Sequence, residues 1–408
     1  MIDKLLPIAR CNPQAAFCVL NYSIKFKSTY IFRTTPLDPS ISQVYDEALE
    51  KMISCLMKKE LTDKIIAQAA FPIKYGGLGI NVNSLEYSKQ QLEDCKALSY
   101  HICRYIEHDE IINHDSIKVI RNKILSDKKK YWDKQSDDFI TELEYDHIKR
   151  LEEMKTPGSN HWLIAIPVKW KPQWKLSKNE FCDALNLRFN VLPDSTPLVC
   201  PAENCLESYN LIHMDSCNFG GLVIKRHDYV KNIISKHAEK GYGQYSVEIE
   251  PYLGELNDDE CELISGTLND DAKAEVLIKD FKEPQKNCYL DVRIVSVVCE
   301  TYKNLPINKV ISNIEKLKNN KYSSRITNSL GCDFIPFVMT SGGSIGPAAN
   351  MVLKTIANKK ASKSFENRDQ ILRNIKTDLS MSLLKSRIIG IRSPRKTLAA
   401  QIVDLRNH

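Results

Sequence analysis

The chain has 408 residues, 43% apolar and 26% charged, enough for more than one packed core, which excludes wholesale disorder. Its apolar runs fall well short of the ~20 residues a membrane-spanning helix needs. The net charge is +6, but residues 357–408 carry twelve Lys/Arg against four Asp/Glu, so this stretch is +8 and the rest −2, an asymmetry that points to a polyanionic partner.

Residues 1–82 read as mostly helical. Ser40-x-x-Gln43 has capping-box spacing, and Val44, Ala48, Met52, Cys55 and Leu56 follow at helical intervals. The glycines of Phe71-Pro-Ile-Lys-Tyr-Gly-Gly-Leu-Gly-Ile80 have the composition of a phosphate cradle. No Lys-Ser/Thr follows, however, so the segment reads as a turn. Residues 83–155 contain no Gly or Pro and predict long charged helices. Within them, Lys128-Lys-Lys-Tyr-Trp132 is a basic and aromatic spot read as a solvated helix face. Thr156-Pro-Gly-Ser159 marks a boundary. An apolar run over 162–168 follows, and Ser177-x-x-Glu180 caps a helix through Phe189. Beyond residue 220 the pattern predicts a helix over 222–240, with Val223, His227, Val230, Ile234 and His237 as its stripe. Strands follow over 245–251, 274–278 and 288–298, then a helix over 307–322 and a strand over 334–340. The fold class is therefore α+β and multidomain.

The N-terminus lacks a signal peptide's apolar core, and thirteen cysteines then suggest an intracellular, reducing setting, nucleus or cytoplasm. Cys11, Cys18, Cys55, Cys95, Cys103, Cys261 and Cys332 stand singly and read as small core hydrophobes. Cys200, Cys205, His213 and Cys217 differ, forming C-x4-C-x7-H-x3-C. Two close pairs of soft donors suit tetrahedral zinc, with Pro201 and Asn204 favouring the turn that closes the first pair. Four protein ligands leave no open position, so such a zinc would be structural. The competing reading is three unrelated thiols beside a surface histidine.

In Cys288-Tyr-Leu-Asp-Val-Arg-Ile-Val-Ser296, Leu290, Val292 and Ile294 face one way and Asp291 and Arg293 the other. An aspartate there is costly to bury ionised without a cation. Glu275 alternates with apolar neighbours in a second strand, and Glu248 and Glu250 share a face of a third. Lys318 and Tyr322 sit at the edge of the apolar stripe of the 307–322 helix, from which Lys318 reaches toward Asp291. Carboxylates on Mg²⁺ with a lysine beside them are the parts of phosphodiester hydrolysis. Edge carboxylates in salt bridges with a snorkelling lysine are the alternative.

The order of the Cys/His knuckle, Arg226-His227-Asp228, Leu290-Asp-Val292 and Lys318-x-x-x-Tyr322 resembles the C-terminal part of certain non-LTR retrotransposon reverse transcriptases. Their endonuclease is restriction-like, of the PD-(D/E)XK fold. Pro13-Gln-Ala-Ala16, 28–36 and 71–80 resemble the thumb. The segment 161–167 with 181–185 resembles the region before the knuckle, and 334–337 with 342–346 the region after the nuclease lysine. The resemblance covers most of residues 5–350 in order. It implies a thumb-like region over 1–82, a charged helical connector over 83–160, and a pre-knuckle segment with the zinc knuckle over 161–221. A PD-(D/E)XK-like mixed sheet flanked by helices would span 222–345, and a basic helical tail 346–408.

The resemblance further implies a DNA-nicking enzyme. Cys200, Cys205, His213 and Cys217 would hold zinc, and Asp291 and Glu275 would hold Mg²⁺, with Glu250 completing the shell. Lys318 would position water or steady charge, beside Tyr322. Arg226, Arg293, Arg387, Arg392, Arg395 and Lys396 would contact nucleic acid. The partners would be target DNA and the element's RNA, with no membrane and no small-molecule substrate. The chain departs from the family at three places. Glu275 stands where the family has aspartate, Tyr229 and Asn232 where acidic residues are frequent, and Arg293 where a restriction enzyme places lysine. No Tyr/Phe-x-Asp-Asp lies in an apolar strand, and Asp258-Asp259 and Asp270-Asp271 fall in polar loops. Polymerisation is therefore not expected of this chain. A zinc-containing nucleic-acid-binding remnant is the rival, and a plain helical scaffold a third reading that leaves the knuckle and sheet unexplained.

Overall fold

A computed structural model describes residues 1–108, 114–193, 196–202, 204–253 and 273–392. Cys261, Asp258-Asp259, Asp270-Asp271, Arg395 and Lys396 lie outside the described residues. The chain divides into two compact units, Met1–Leu151 with Ile166–Val191, and Glu152–Ala165 with Leu192–His408. No helix among the described residues is long and apolar enough to cross a membrane.

The first unit is helical. Helices α1 (Ile2–Cys11), α2 (Pro13–Val19), α3 (Lys25–Thr34), α4 (Pro39–Met57) and α5 (Asp63–Ala70) precede α6 (Ser84–His108) and α7 (His114–Ile140). Then come α8 (Tyr145–Met154), which runs across the division, and α9 (Lys178–Arg188). The start of α4 differs from expectation. Asp38 is its N-cap and accepts from the Ser40 N–H at 2.8 Å, with Pro39 preorganising the first turn. The α9 capping box is present, with Ser177 N–H donating to Glu180 at 2.6 Å and Glu180 N–H to Ser177 Oγ at 3.3 Å. Phe17, Met52, Ile53, Leu56, Met57 and Phe181 are fully buried and hold α2, α4 and α9 together.

The glycine-rich segment is a turn. Gly76 has φ 92, and a Cβ on Gly77 would collide with the Phe71 carbonyl oxygen. The Arg188 guanidinium closes the turn, donating to the carbonyls of Gly77 at 2.8 Å and Ile73 at 2.9 Å. Lys128 pairs with Asp94 at 2.6 Å, and Trp132 sets its ring edge-on to Phe71, so the Lys128–Trp132 face is not wholly solvated.

The second unit carries α10 (Leu211–Ser216), α11 (Leu222–Tyr242), β1 (Val247–Ile249), β2 (Val276–Ile278), β3 (Cys288–Val295), α12 (Ile307–Ser323), β4 (Asp333–Thr340), α13 (Pro347–Lys363) and α14 (Arg368–Arg392). The sheet order is β1-β2-β3-β4, antiparallel through β3, with β4 parallel to β3. A parallel partner requires a crossover, and α12 occupies it. One sheet face packs Leu290, Val292, Ile294 and Phe337 against α11, α13 and α14. On the other side, Val310, Ile311 and Ile314 of α12 pack on Val295 and Val338. The stretch expected as a basic helical tail over 346–408 contains α13 and α14, and Ile371, Ile375, Leu379 and Leu383 of α14 lie in the same core as the sheet. The Thr156–Ser159 turn likewise packs within this unit. Glu153 accepts from the Gly342 N–H at 3.0 Å, and Ile345 N–H donates to the Pro157 carbonyl at 3.2 Å.

The single cysteines divide. Cys18 is buried, Cys55, Cys95 and Cys332 are half-buried, and Cys11 and Cys103 are exposed, which corrects their reading as core residues.

Candidate functional site

The Cys/His cluster expected as a knuckle is built from a short hairpin and α10. Val199 and Ser208 form an antiparallel bridge, with Cys200 N–H donating to the Glu207 carbonyl at 2.9 Å. Asn204 takes a left-handed φ of 64 and Cys205 N–H bonds back to Ala202 at 3.1 Å, which brings the first two thiols onto one side. Asn210 caps α10 by accepting from the His213 N–H at 2.8 Å. The i, i+4 spacing of α10 then sets His213 and Cys217 on one face.

The four donor atoms lie within 4.8 Å of one another. The Cys200–Cys217 and Cys205–Cys217 sulfurs are 3.8 and 4.0 Å apart, and Cys205 Sγ is 3.4 Å from His213 Nε2. A tetrahedral ion with bonds of about 2.3 Å to sulfur and 2.0 Å to nitrogen sets those edges at about 3.8 and 3.5 Å. Three buried thiols and one half-buried imidazole therefore fit zinc in both donor type and spacing. Among the described residues no other group of three or more such side chains converges this closely.

Behind the knuckle stands a buried ion triad. Asp215 of α10 is 1% exposed and receives Arg387 Nε and Nη2 at 3.0 and 3.1 Å, while Arg226 donates to the Asp215 carbonyl at 2.8 Å. Arg226 and Arg387 were expected to contact nucleic acid. Both are buried, because a guanidinium facing a buried carboxylate is held inward, and neither is available to a phosphate. Arg293 and Arg392 are exposed.

The carboxylates gather at the sheet. Asp291, at the middle of β3, is 4% exposed, and Lys318 Nζ from α12 lies 3.0 Å from its Oδ1 and 2.8 Å from its Oδ2. Tyr322, one turn further along, is pushed up to about 12 by burial, by the charge of Asp291 and its hydrogen bond to that carboxylate, and by the charge of Glu275. One phenol thus senses both carboxylates. Glu275 N–H bonds the Leu290 carbonyl at 3.1 Å, one residue off the register pairing Val276 with Leu290. Such an offset, as at a β-bulge, re-aims a side chain.

Glu250 takes a left-handed φ of 54 and accepts from Lys231 of α11 at 2.5 Å. Glu250, Glu275 and Asp291 do not converge as one three-carboxylate cage.

Two residues of α11 join the site without having been expected there. Lys231, with a side chain only 7% exposed, stands 3.2 Å from Asp228, 2.5 Å from Glu250 and 3.8 Å from Glu275. Burial alone would lower its pKa, but its hydrogen bonds to Glu250 and Asp228 outweigh that and raise it; the bond to Glu250 holds that carboxyl below the usual carboxylate range. His227 Nε2 lies 3.3 Å from Glu275 and 3.1 Å from the Val292 carbonyl, and the Glu275 hydrogen bond raises its pKa against burial. In the sequence His227 stands in an apolar stripe and in Arg226-His227-Asp228, without a role at the site. Its spacing of four residues from Lys231, on one helix face, is the available signal.

No protein-family model matches the chain, and no curated protein matches it. Geometry therefore carries the functional reading.

Proposed function

We propose that the second unit is a metal-dependent, restriction-like DNA endonuclease belonging to a retroelement reverse transcriptase, with the first unit its thumb-like region. The succession of a helix, three antiparallel strands, a crossover helix and a parallel fourth strand supports that reading. The observation that carries it is the buried Asp291 carboxylate, met by Lys318 from the following helix, with Glu275 immediately before the neighbouring strand β2.

Asp291 and Glu275 are hard oxygen donors of the kind Mg²⁺ takes, and they are the residues that would hold it. Bound there, magnesium would supply Lewis acidity at the scissile phosphate. Lys318 orients the Asp291 carboxylate through its contacts with both oxygens, and its ammonium offers positive charge to the developing phosphorane. Tyr322, whose proton burial retains, stands one helical turn beyond Lys318. Arg293, exposed on the same strand, offers a permanent charge to the DNA backbone. Zinc on Cys200, Cys205, His213 and Cys217 would hold the knuckle's fold, with no role in cleavage.

A second reading has its own support. Lys231 already compensates Asp228, Glu250 and Glu275, as Lys318 does Asp291, which suits a binding remnant whose metal site has been closed by protein cations. The readings separate on supercoiled plasmid with Mg²⁺. The nuclease converts it to open circles and Asp291→Ala abolishes the conversion; undiminished nicking by that variant sinks the assignment. The remnant binds DNA in a salt-sensitive manner and leaves it intact.

A further inference from the structure

The first unit contains a cleft of about 780 Å³ lined by α3, the glycine turn and the long helices α6 and α7. That lies within the roughly 300–1,000 Å³ of single-ligand pockets. Its wall is aromatic, with Phe32, Phe71, Tyr87, Tyr131 and Trp132 among its lining. Trp132 is fixed edge-on to Phe71 at 5.9 Å, and Tyr131 edge-on to Trp132 at 5.0 Å, leaving the Tyr131 side chain exposed.

Among the described residues two cations of this wall pair with no carboxylate, and one of them, Arg33, is exposed and held by Gln91 through Nε at 3.3 Å. Lys25, the first residue of α3, is half-buried, and among the described residues no carboxylate pairs with it. Desolvation pulls its ammonium below the usual lysine range, and no charged neighbour offsets that. The glycine turn makes room for it. Gly79 has φ +66, and a Cβ there would stand 2.7 Å from Lys25 Nζ. The acidic residues of the lining are otherwise engaged or in water. Asp94 pairs with Lys128 at 2.6 Å, Asp127 with Lys130 at 3.7 Å and Glu86 with Lys89 at 3.9 Å, while Asp138 and Glu142 are exposed.

An ammonium drawn out of water without an anion costs free energy that an anionic ligand group recovers. Aromatic faces beside it suit a planar heterocycle. We propose that this cleft binds one nucleotide unit, its phosphate on Lys25 beside Gly79 and its base against Tyr131 and Trp132. The assignment stands whether or not the second unit cleaves DNA.

Calorimetric titration of the full chain tests it with dAMP, deoxyadenosine, inorganic phosphate and a 5′-phosphorylated hexamer of deoxyadenylate. The expected result is saturable dAMP binding, with deoxyadenosine and phosphate each weaker by at least about tenfold. A hexamer tighter than dAMP assigns the site to a strand end, and equal affinities assign it to a free nucleotide. Lys25→Met should weaken dAMP by about tenfold without lowering Tm, since it removes a desolvated charge. Should that variant fold poorly, Tyr131→Ala, at an exposed position, decides the matter, with an expected loss of at least about fivefold. Absence of dAMP binding to the wild-type chain, or wild-type affinity in both variants, overturns the proposal.

Discussion

Lys231 concentrates the site's electrostatics in one side chain. Its ammonium, 7% exposed, stands among Asp228, Glu250 and Glu275, so removing it leaves three carboxylates facing one another. Lys231→Met should cost about 1–3 kcal/mol, read from urea denaturation. Millimolar Mg²⁺ should raise the Tm of that variant more than it raises the wild-type Tm, because ligand binding to the native state alone adds stability. An equal response in both would show that no metal enters there. Asp291, Lys318 and Tyr322 are legible in the sequence, since strand period 2 and helix period 3.6 set them toward one another across β3 and α12. Lys231 is not, because a lysine on an amphipathic helix has the same pattern whether it is solvated or enclosed. Its partners Glu250 and Glu275 are brought to it by strand pairing, which spacing along the chain does not reveal.

At the scale of elements, the knuckle is joined to its unit by charge and by packing. Asp215 on α10 receives Arg387 from α14 through two bonds and Arg226 from α11. Tyr209 of the hairpin donates to the Gly390 carbonyl of α14, and a Cβ on Gly390 would crowd Leu222 and Met214. Arg387→Met strands a buried carboxylate and should destabilise this unit by about 3–5 kcal/mol in chemical denaturation. The same reasoning explains why the arginines mislead. Counting Lys/Arg over 357–408 gives +8 but says nothing of sidedness, and the apolar stripe of α14 buries Arg387 along with Ile388 and Ile391. Bound zinc should measure about one per chain by mass spectrometry and fall to about zero in Cys205→Ser, because three ligands hold it far less tightly. Retention of full zinc by that variant would remove Cys205 from the site. The Cys/His spacing is legible because tight turns and one helical turn, both local, are all that closes it.

Across the whole molecule, each unit carries a histidine that burial holds neutral. His147 in the first unit and His161 in the second are both lowered to about 4, chiefly by desolvation; Lys376 and Arg373 depress His161 further. Between pH ~6.5 and ~4 the unfolded chain binds protons that these native imidazoles refuse, so stability is full above about 6.5 and is lost as pH falls toward 4. His161→Phe should flatten the acid limb of Tm against pH, whereas an unchanged slope would assign acid sensitivity to other groups. Periodicity conveys the helix–strand order of the second unit but not its extent: Thr156–Ser159 and α13–α14 join its core through contacts distant in sequence. The −2 body is likewise clarified, since part of its acidity is held by Lys231 and Lys318 at the sheet. The central claim is that Asp291 and Glu275 together serve DNA cleavage. Its most direct test is single-turnover nicking of supercoiled DNA by the full chain with Mg²⁺, comparing wild type with Asp291→Asn and Glu275→Gln at matched DNA occupancy. The account predicts nicking by the wild type and a loss of at least about a hundredfold in each variant with DNA binding retained. Wild-type protein that binds but leaves the DNA intact, or variants that nick at the wild-type rate, would contradict it.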